Sequence, residues 1–149
     1  QIDHVDSEII KNILDRDYVP IICPIGYDDE YLPYNINADD AAYSVATSLK
    51  AAKLAFLTDV EGLYSDFNDK STLISEIRID DAKALLQSGD IKGGMIPKLT
   101  NCISAIEKGV SRVHILDGRI PHSLLLEIFT NKGVGTAIIG NNEEKFMKD

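Results

Sequence analysis

Apolar positions along the 149 residues alternate between a helical and an extended period. Val5, Ile9, Ile10, Ile13 and Leu14 recur at helical spacing, which predicts a first helix from Val5 to Asp17 with Asp6 or Ser7 as its N-cap. The nearly continuous apolar run from Val19 to Ile25 stops at Gly26 and reads as a strand buried on both faces, its prolines favouring a strand end or a bulge. A polar loop is expected from Tyr27 to Tyr34, then a helix from Asp39 to Ala51 carrying Ala42, Val45, Ala46 and Leu49 on one face. Lys53 to Thr58 is a second strand, Thr72 to Ile79 a third, and Asp80 to Gln87 a short helix stopped by Ser88-Gly89. Leu99, Cys102, Ile103 and Ile106 mark the inner face of a helix from Met95 to Lys108. Arg112 to Leu116 is strand-like, Pro121 opens a helix with Leu124, Leu125, Ile128 and Phe129, and Gly135 to Ile139 is a closing β segment. Helices alternating with strands in this way predict an α/β fold, a three-layer αβα sandwich with a mainly parallel sheet, as one domain over residues 1–149.

Composition narrows the partners. Asp and Glu number 24 against 15 Lys and Arg, a net charge of −9, which argues against a broad electrostatic grip on nucleic acid or on an anionic membrane surface. Neither a membrane-spanning run nor a signal-peptide layout is read from the sequence. Cys23 and Cys102 are too few and too far apart for a disulfide framework or a zinc motif, which favours a reduced, cytoplasmic setting. His4, His114 and His122 show no metal-ligand spacing, so no metal site is expected and each reads as a surface or capping residue. The opening residues lack an initiating Met, and the chain reads as a domain cut from something longer.

Three segments hold candidate chemistry. Asp90-Ile91-Lys92-Gly93-Gly94-Met95-Ile96-Pro97-Lys98 sets two glycines before a helix N-terminus, where free N–H groups and a partial positive charge suit an anion, and Lys98 adds a full charge. The same glycines read equally well as an ordinary turn with a solvated lysine, and the Walker A pattern is absent. Asn35-Ile36-Asn37-Ala38-Asp39-Asp40 spends more polar side chains at a helix mouth than an N-cap requires. Thr58-Asp59-Val60-Glu61-Gly62-Leu63-Tyr64 lies at the carboxyl end of a strand, where open parallel sheets bind ligands, although a plain strand-ending turn explains it too.

Taken together and in order, Asn35-Ile36-Asn37-Ala38-Asp39, Leu57-Thr58-Asp59-Val60-Glu61-Gly62-Leu63, Gly93-Gly94-Met95-Ile96-Pro97-Lys98 and Val113-His114-Ile115-Leu116-Asp117-Gly118-Arg119 resemble the acetylglutamate kinases of the amino acid kinase family. The resemblance runs from about Val5 to Gly140. It implies transfer of a phosphoryl group from ATP to the side-chain carboxylate of N-acetyl-L-glutamate, a step of arginine biosynthesis. By the same resemblance Asn35 binds acetylglutamate, Asp39 organises the catalytic lysines and Lys98 stabilises the transferring group. Asp59, Val60, Glu61, Gly62, Leu63 and Tyr64, with Asp90, Ile91, Lys92, Gly93, Gly94 and Met95, flank the nucleotide, and Mg²⁺ arrives with ATP. An attacking carboxylate has no proton to surrender, so Asp39 is not required as a general base. Members of the family carry an early lysine, a Gly-Gly pair and a substrate-binding arginine in an N-terminal half, and none of these precedes Gln1. The chain therefore resembles the C-terminal, nucleotide-binding half, expected to be inactive alone.

The arginine-inhibited members match at His114, Glu127 and Gly133, which implies an allosteric arginine site. Glu127 reads equally as an exposed helix glutamate. The resemblance also implies a homo-oligomeric whole enzyme. Two alternatives stay open: a kinase of the same family for another acid, and a module that senses nucleotide or arginine without turnover.

Overall fold

Asp6 accepts hydrogen bonds from the Glu8 and Ile9 amides and starts the first helix, α1 (Ser7–Leu14), in a computed structural model that describes residues 2–66, 68–91, 93–130 and 133–143. Residues 19–24 then run without forming a strand. The expected buried strand is absent there: Val19 and Ile21 are 87% and 94% exposed, and Pro20 and Pro24 remove two of the N–H groups that a ladder would need. An antiparallel hairpin follows, β1 (Ile25–Tyr27) with β2 (Pro33–Asn35), in place of the expected polar loop. Its turn is held by the Asp28 carboxylate, which accepts from the Glu30 and Leu32 amides and from the Tyr34 hydroxyl.

Asn37 caps α2 (Ala38–Leu49) by accepting from the Asp39 and Asp40 amides, and β3 (Lys53–Thr58) follows as expected. The segment read as a strand from Thr72 to Ile79 is shorter and mixed. Lys70–Thr72 is a 3₁₀ turn capped by Asp69, only Glu76–Arg78 pairs as β4, and Ile79 already begins α3 (Ile79–Ser88). After it come α4 (Met95–Glu107), β5 (Arg112–Asp117), α5 (Ser123–Phe129) and β6 (Thr136–Ile139). Pro121 does not itself open α5: His122 takes a left-handed conformation (φ 60°) and the helix starts after it.

Among the described residues β3, β5, β6 and β4 form a four-stranded sheet in that order. β3 pairs with β5 in parallel, β6 with β4 in parallel, and β5 with β6 antiparallel, so the sheet is mixed with parallel pairings in the majority. Leu54, Phe56, Val113, Ile115 and Ile138 line one face and pack with Ala46, Ala82, Leu99, Cys102 and Ile103 of α2, α3 and α4. Side chains alternate across a strand, so His114 and Leu116 point to the other face, where α5 lies on β5. The α/β sandwich expected from the alternating pattern is the fold observed.

β6 begins with a tight contact. A Cβ on Gly135 would sit 2.2 Å from the Ile115 carbonyl oxygen and 2.5 Å from Leu116 Cδ2. Gly135→Ala should therefore cost about 1–3 kcal/mol of stability, read as a lower urea midpoint at unchanged slope; an unmoved midpoint would show that β5 yields freely at this point.

Candidate functional site

The carboxyl end of β3 meets the amino ends of α2 and α4 around a cleft of about 1170 Å³, the edge at which open α/β sheets take their ligands. Each wall derives from a local rule. The Asn37 cap turns the first turn of α2 toward the cleft, so Asp39 and Asp40 line it. α4 begins after Gly94 with no side-chain cap; the Ile96 amide donates to the Gly93 carbonyl at 3.3 Å and Pro97 carries no N–H, so what this end offers the cleft is chiefly its positive dipole end. Gly93 holds a left-handed φ of 61°, and a Cβ on either glycine would meet nothing within 4 Å, so the space above this turn is open.

Lys98, in the first turn of α4, brings these walls together. Its Nζ lies 2.5 Å from Asp39 Oδ2 and 5.2 Å from the centroid of the Phe56 ring, with the lysine side chain only 12% exposed. A carboxylate on one side and an aromatic face on the other fix an ammonium whose stem is buried. Asn101, one turn later, donates to Asp40 Oδ1 at 2.8 Å.

The loop after β3 supplies Asp59, Val60, Gly62, Leu63 and Tyr64 to the cleft. Glu61 turns aside to accept from the Tyr64 hydroxyl and to pair with Lys70 at 3.4 Å. The Tyr64 hydroxyl and the Lys70 charge hold the Glu61 carboxyl below its usual range. Burial and the Glu61 contact push the Tyr64 phenol up to about 12, so it stays protonated and donates. Asp90 and Ile91 complete the wall with Gly94 and Met95. Lys92 lies outside the described residues. Asn35 stands exposed at the end of β2, two residues from Asn37, and is not among the lining residues. Ser65, Asp66 and Asn68 also line the cleft and carry no motif in the sequence; only the path of the chain after Tyr64 brings them there.

A second cluster lies under α5. His114 Nδ1 is 3.0 Å from Glu127 Oε1, and Glu127 Oε2 accepts from the Val134 amide at 2.7 Å and the Gly135 amide at 3.2 Å. His114 is 5% and Glu127 9% exposed. Both therefore depart from a surface reading: His114 is interior, and Glu127 is not an exposed helix glutamate. Burial pushes the Glu127 carboxyl up, and the hydrogen bonds from His114, Val134 and Gly135 more than offset it, leaving the group below its usual range. Gly133, with φ 53°, precedes the held amides directly. By contrast His4 and His122 are exposed. The Cys102 thiol, buried in the core, is pushed up to about 12 by that burial, which makes it a packing residue and no nucleophile.

Between the two clusters runs the turn Asp117-Gly118-Arg119. The Gly118 amide donates to the Thr58 carbonyl at 2.8 Å, tying β5 to the start of the loop after β3. Asp117 accepts from the Arg119 amide, Nε and Nη2 at 2.8 to 2.9 Å. That guanidinium draws the Asp117 carboxyl down to about 2.

An α/β sandwich with its polar cleft at the carboxyl edge of the sheet is a ligand-binding architecture. The sequence pattern of the Amino acid kinase family matches residues 1–117, and the chain belongs to that family. It is 56% identical over 137 residues to an acetylglutamate kinase of Campylobacter jejuni subsp. doylei, covering 92% of this chain and 48% of that one. It is 53% identical over 138 residues to an acetylglutamate kinase of Caldanaerobacter subterraneus subsp. tengcongensis, covering 93% and 46%. The chain thus spans about half the length of the curated relatives it matches. Among solved structures, N-acetylglutamate synthase from Neisseria gonorrhoeae complexed with coenzyme A and L-arginine superposes with a TM-score of 0.85 at 32% identity, over 93% of this chain and 32% of that one. Carbamate kinase from Giardia lamblia bound to AMP-PNP shares the fold at a TM-score of 0.69 and 23% identity, over 92% and 45%.

Asp117 gives the site a measurable signature in acid. A carboxyl drawn from its usual 3.8 to about 2 adds stability that is complete above the usual value and lost as pH falls through the lower one. The urea midpoint of the wild type should exceed that of Asp117→Asn at pH 6, and the gap should close toward pH 2; a gap that does not change with pH would remove the Arg119 pairing as its source.

Proposed function

We propose that this chain is the C-terminal, nucleotide-binding half of an acetylglutamate kinase, which transfers the γ-phosphoryl group of ATP to the side-chain carboxylate of N-acetyl-L-glutamate. The observation that carries the reading is Lys98, held by Asp39 at the amino ends of two helices and beside the Gly93-Gly94 turn. Phosphoryl transfer spreads negative charge over the equatorial oxygens, and its catalysis is positioning plus cationic stabilisation. Lys98 supplies the charge and Asp39 sets its direction. The positive amino end of α4 receives phosphate oxygens, and Asp59 to Tyr64 with Asp90 to Met95 enclose the nucleotide. Asn35 takes the acetylglutamate end, just outside the cleft.

Five carboxylates, Asp39, Asp40, Asp59, Asp66 and Asp90, line the cleft, and Lys98 is the one cation among the described lining residues. Such a wall fits a nucleotide that brings Mg²⁺ on its phosphates, where the metal neutralises charge and orients the polyphosphate. The large apolar side chains left exposed on α1, the 19–24 segment and the hairpin, Ile9, Ile13, Val19, Ile21, Ile25 and Tyr27 among them, support a further part of the kinase packing there. The whole enzyme is proposed as a cytoplasmic homo-oligomer.

The cluster of His114, Glu127 and Gly133 is proposed as the site of L-arginine acting as inhibitor. The complex of the gonococcal synthase with L-arginine supports this.

Calorimetry of the chain should show weak binding of Mg-ADP, with no turnover of ATP and acetylglutamate. Joined to the complementary half of the Campylobacter jejuni relative, it should phosphorylate acetylglutamate, and Lys98→Ala should lower kcat about 10²- to 10³-fold with far less effect on the KM for ATP. An equal loss confined to KM would move Lys98 to ground-state binding. In the same enzyme Glu127→Gln should raise the arginine concentration for half-inhibition by about ten- to a hundred-fold, and superimposable inhibition curves would return Glu127 to a structural role.

A further inference from the structure

Thr136, the first residue of β6, is completely buried, and its hydroxyl is engaged on both sides. Oγ1 accepts from the Leu63 amide at 2.8 Å and donates to the Ile74 carbonyl at 2.6 Å. The Ile74 amide in turn donates to the Leu63 carbonyl at 2.8 Å. The three bonds close a ring that fastens the loop after β3 to the segment entering β4. The neighbouring backbone comes so near that a Cβ on Gly62 would lie 2.4 Å from Thr136 Oγ1. Behind Thr136 the chain cannot drift, because the Val134 and Gly135 amides are held by Glu127 Oε2.

We infer that Thr136 is a positioning residue for nucleotide binding: through its hydroxyl it sets where Gly62 and Leu63 face the cleft, without touching the ligand itself. The inference rests on the nucleotide-binding reading of the Asp59 to Tyr64 loop. Its physical basis is the antiparallel pairing of β6, which starts at the edge where β3 and β5 end and so delivers a side chain to the underside of the ligand loop. A hydroxyl is suited to this place because it both accepts and donates, and the Leu63 amide and the Ile74 carbonyl need one of each. No isosteric apolar side chain satisfies either, and a buried group left unpaired is costly.

The test compares the chain with Thr136→Val, which keeps the shape and removes the hydroxyl, and Thr136→Ser, which restores it. Amide hydrogen exchange is followed at Leu63 and, as reference, at Ile115 in β5, alongside calorimetric titration with Mg-ADP. The expected result for valine is exchange at Leu63 faster by at least about tenfold, unchanged exchange at Ile115 and a nucleotide dissociation constant raised about tenfold. Serine should restore both. Unaltered Leu63 exchange and affinity in the valine variant would overturn the inference. So would exchange accelerated equally at Leu63 and Ile115, or a valine variant that fails to fold, since either makes the hydroxyl a requirement of the whole sheet. A folded wild type that binds no nucleotide would overturn the reading of the loop and the ligand-positioning role with it, while the exchange comparison would still decide whether Thr136 holds the loop.

Discussion

A carboxylate withdrawn from water must be given donors, and Glu127 receives three, from the His114 ring and the Val134 and Gly135 amides. Meeting that requirement ties α5 to β5 and brings the chain back against β5 as an antiparallel strand. Much of the molecule's polar layout depends on this return. β6 starts at the ligand edge of the sheet because Glu127 anchors it there, and Thr136 can reach Leu63 only because β6 starts at that point. The apolar core between the sheet and α2, α3 and α4 supplies most of the buried area, but area is non-directional. The direction comes from the buried carboxylate and the buried hydroxyl.

The cleft obeys a different economy. Its walls are predominantly acidic, and Lys98 is neutralised in place by Asp39 instead of reaching into open solvent. A lysine on four flexible carbons loses rotamer freedom when it is ordered; here the Phe56 face and the Asp39 carboxylate have already ordered it before any ligand arrives. Such preorganisation is what a positively charged group needs if it is to act on charge that develops only during a reaction.

Elements that bury one continuous face were readable from the sequence. Leu99, Cys102 and Ile103 at helical spacing on α4, and Leu54 and Phe56 alternating on β3, announce both their secondary structure and their inner side. The run from Val19 to Ile25 misleads because an apolar stretch is buried only where something covers it, and the prolines at 20 and 24 deny it a ladder. His114 and Glu127 were picked out by resemblance, but their burial was not legible, since it depends on a helix folding back over a strand. Lys98 and Asp39, 59 positions apart, were each conspicuous in their own motif; that they touch is a property of the fold. Thr136 had no signal at all. A single threonine ahead of an apolar strand looks like any β-branched residue, and its partners lie 62 and 73 positions away.

The crowding at Gly135 has a consequence for how β6 chooses its alignment. Strand side chains alternate with period two, so a shift of one residue would exchange Thr136 and Ile138 for Ala137 and Ile139 on the core face. Hydrophobicity alone would not forbid this, because all four positions are buried. The Ile115 carbonyl and Leu116 leave room at their position for a residue without a side chain and for no other. Gly135 therefore serves as a key cut for a single lock position, selecting one alignment among several that the apolar residues would accept almost equally well.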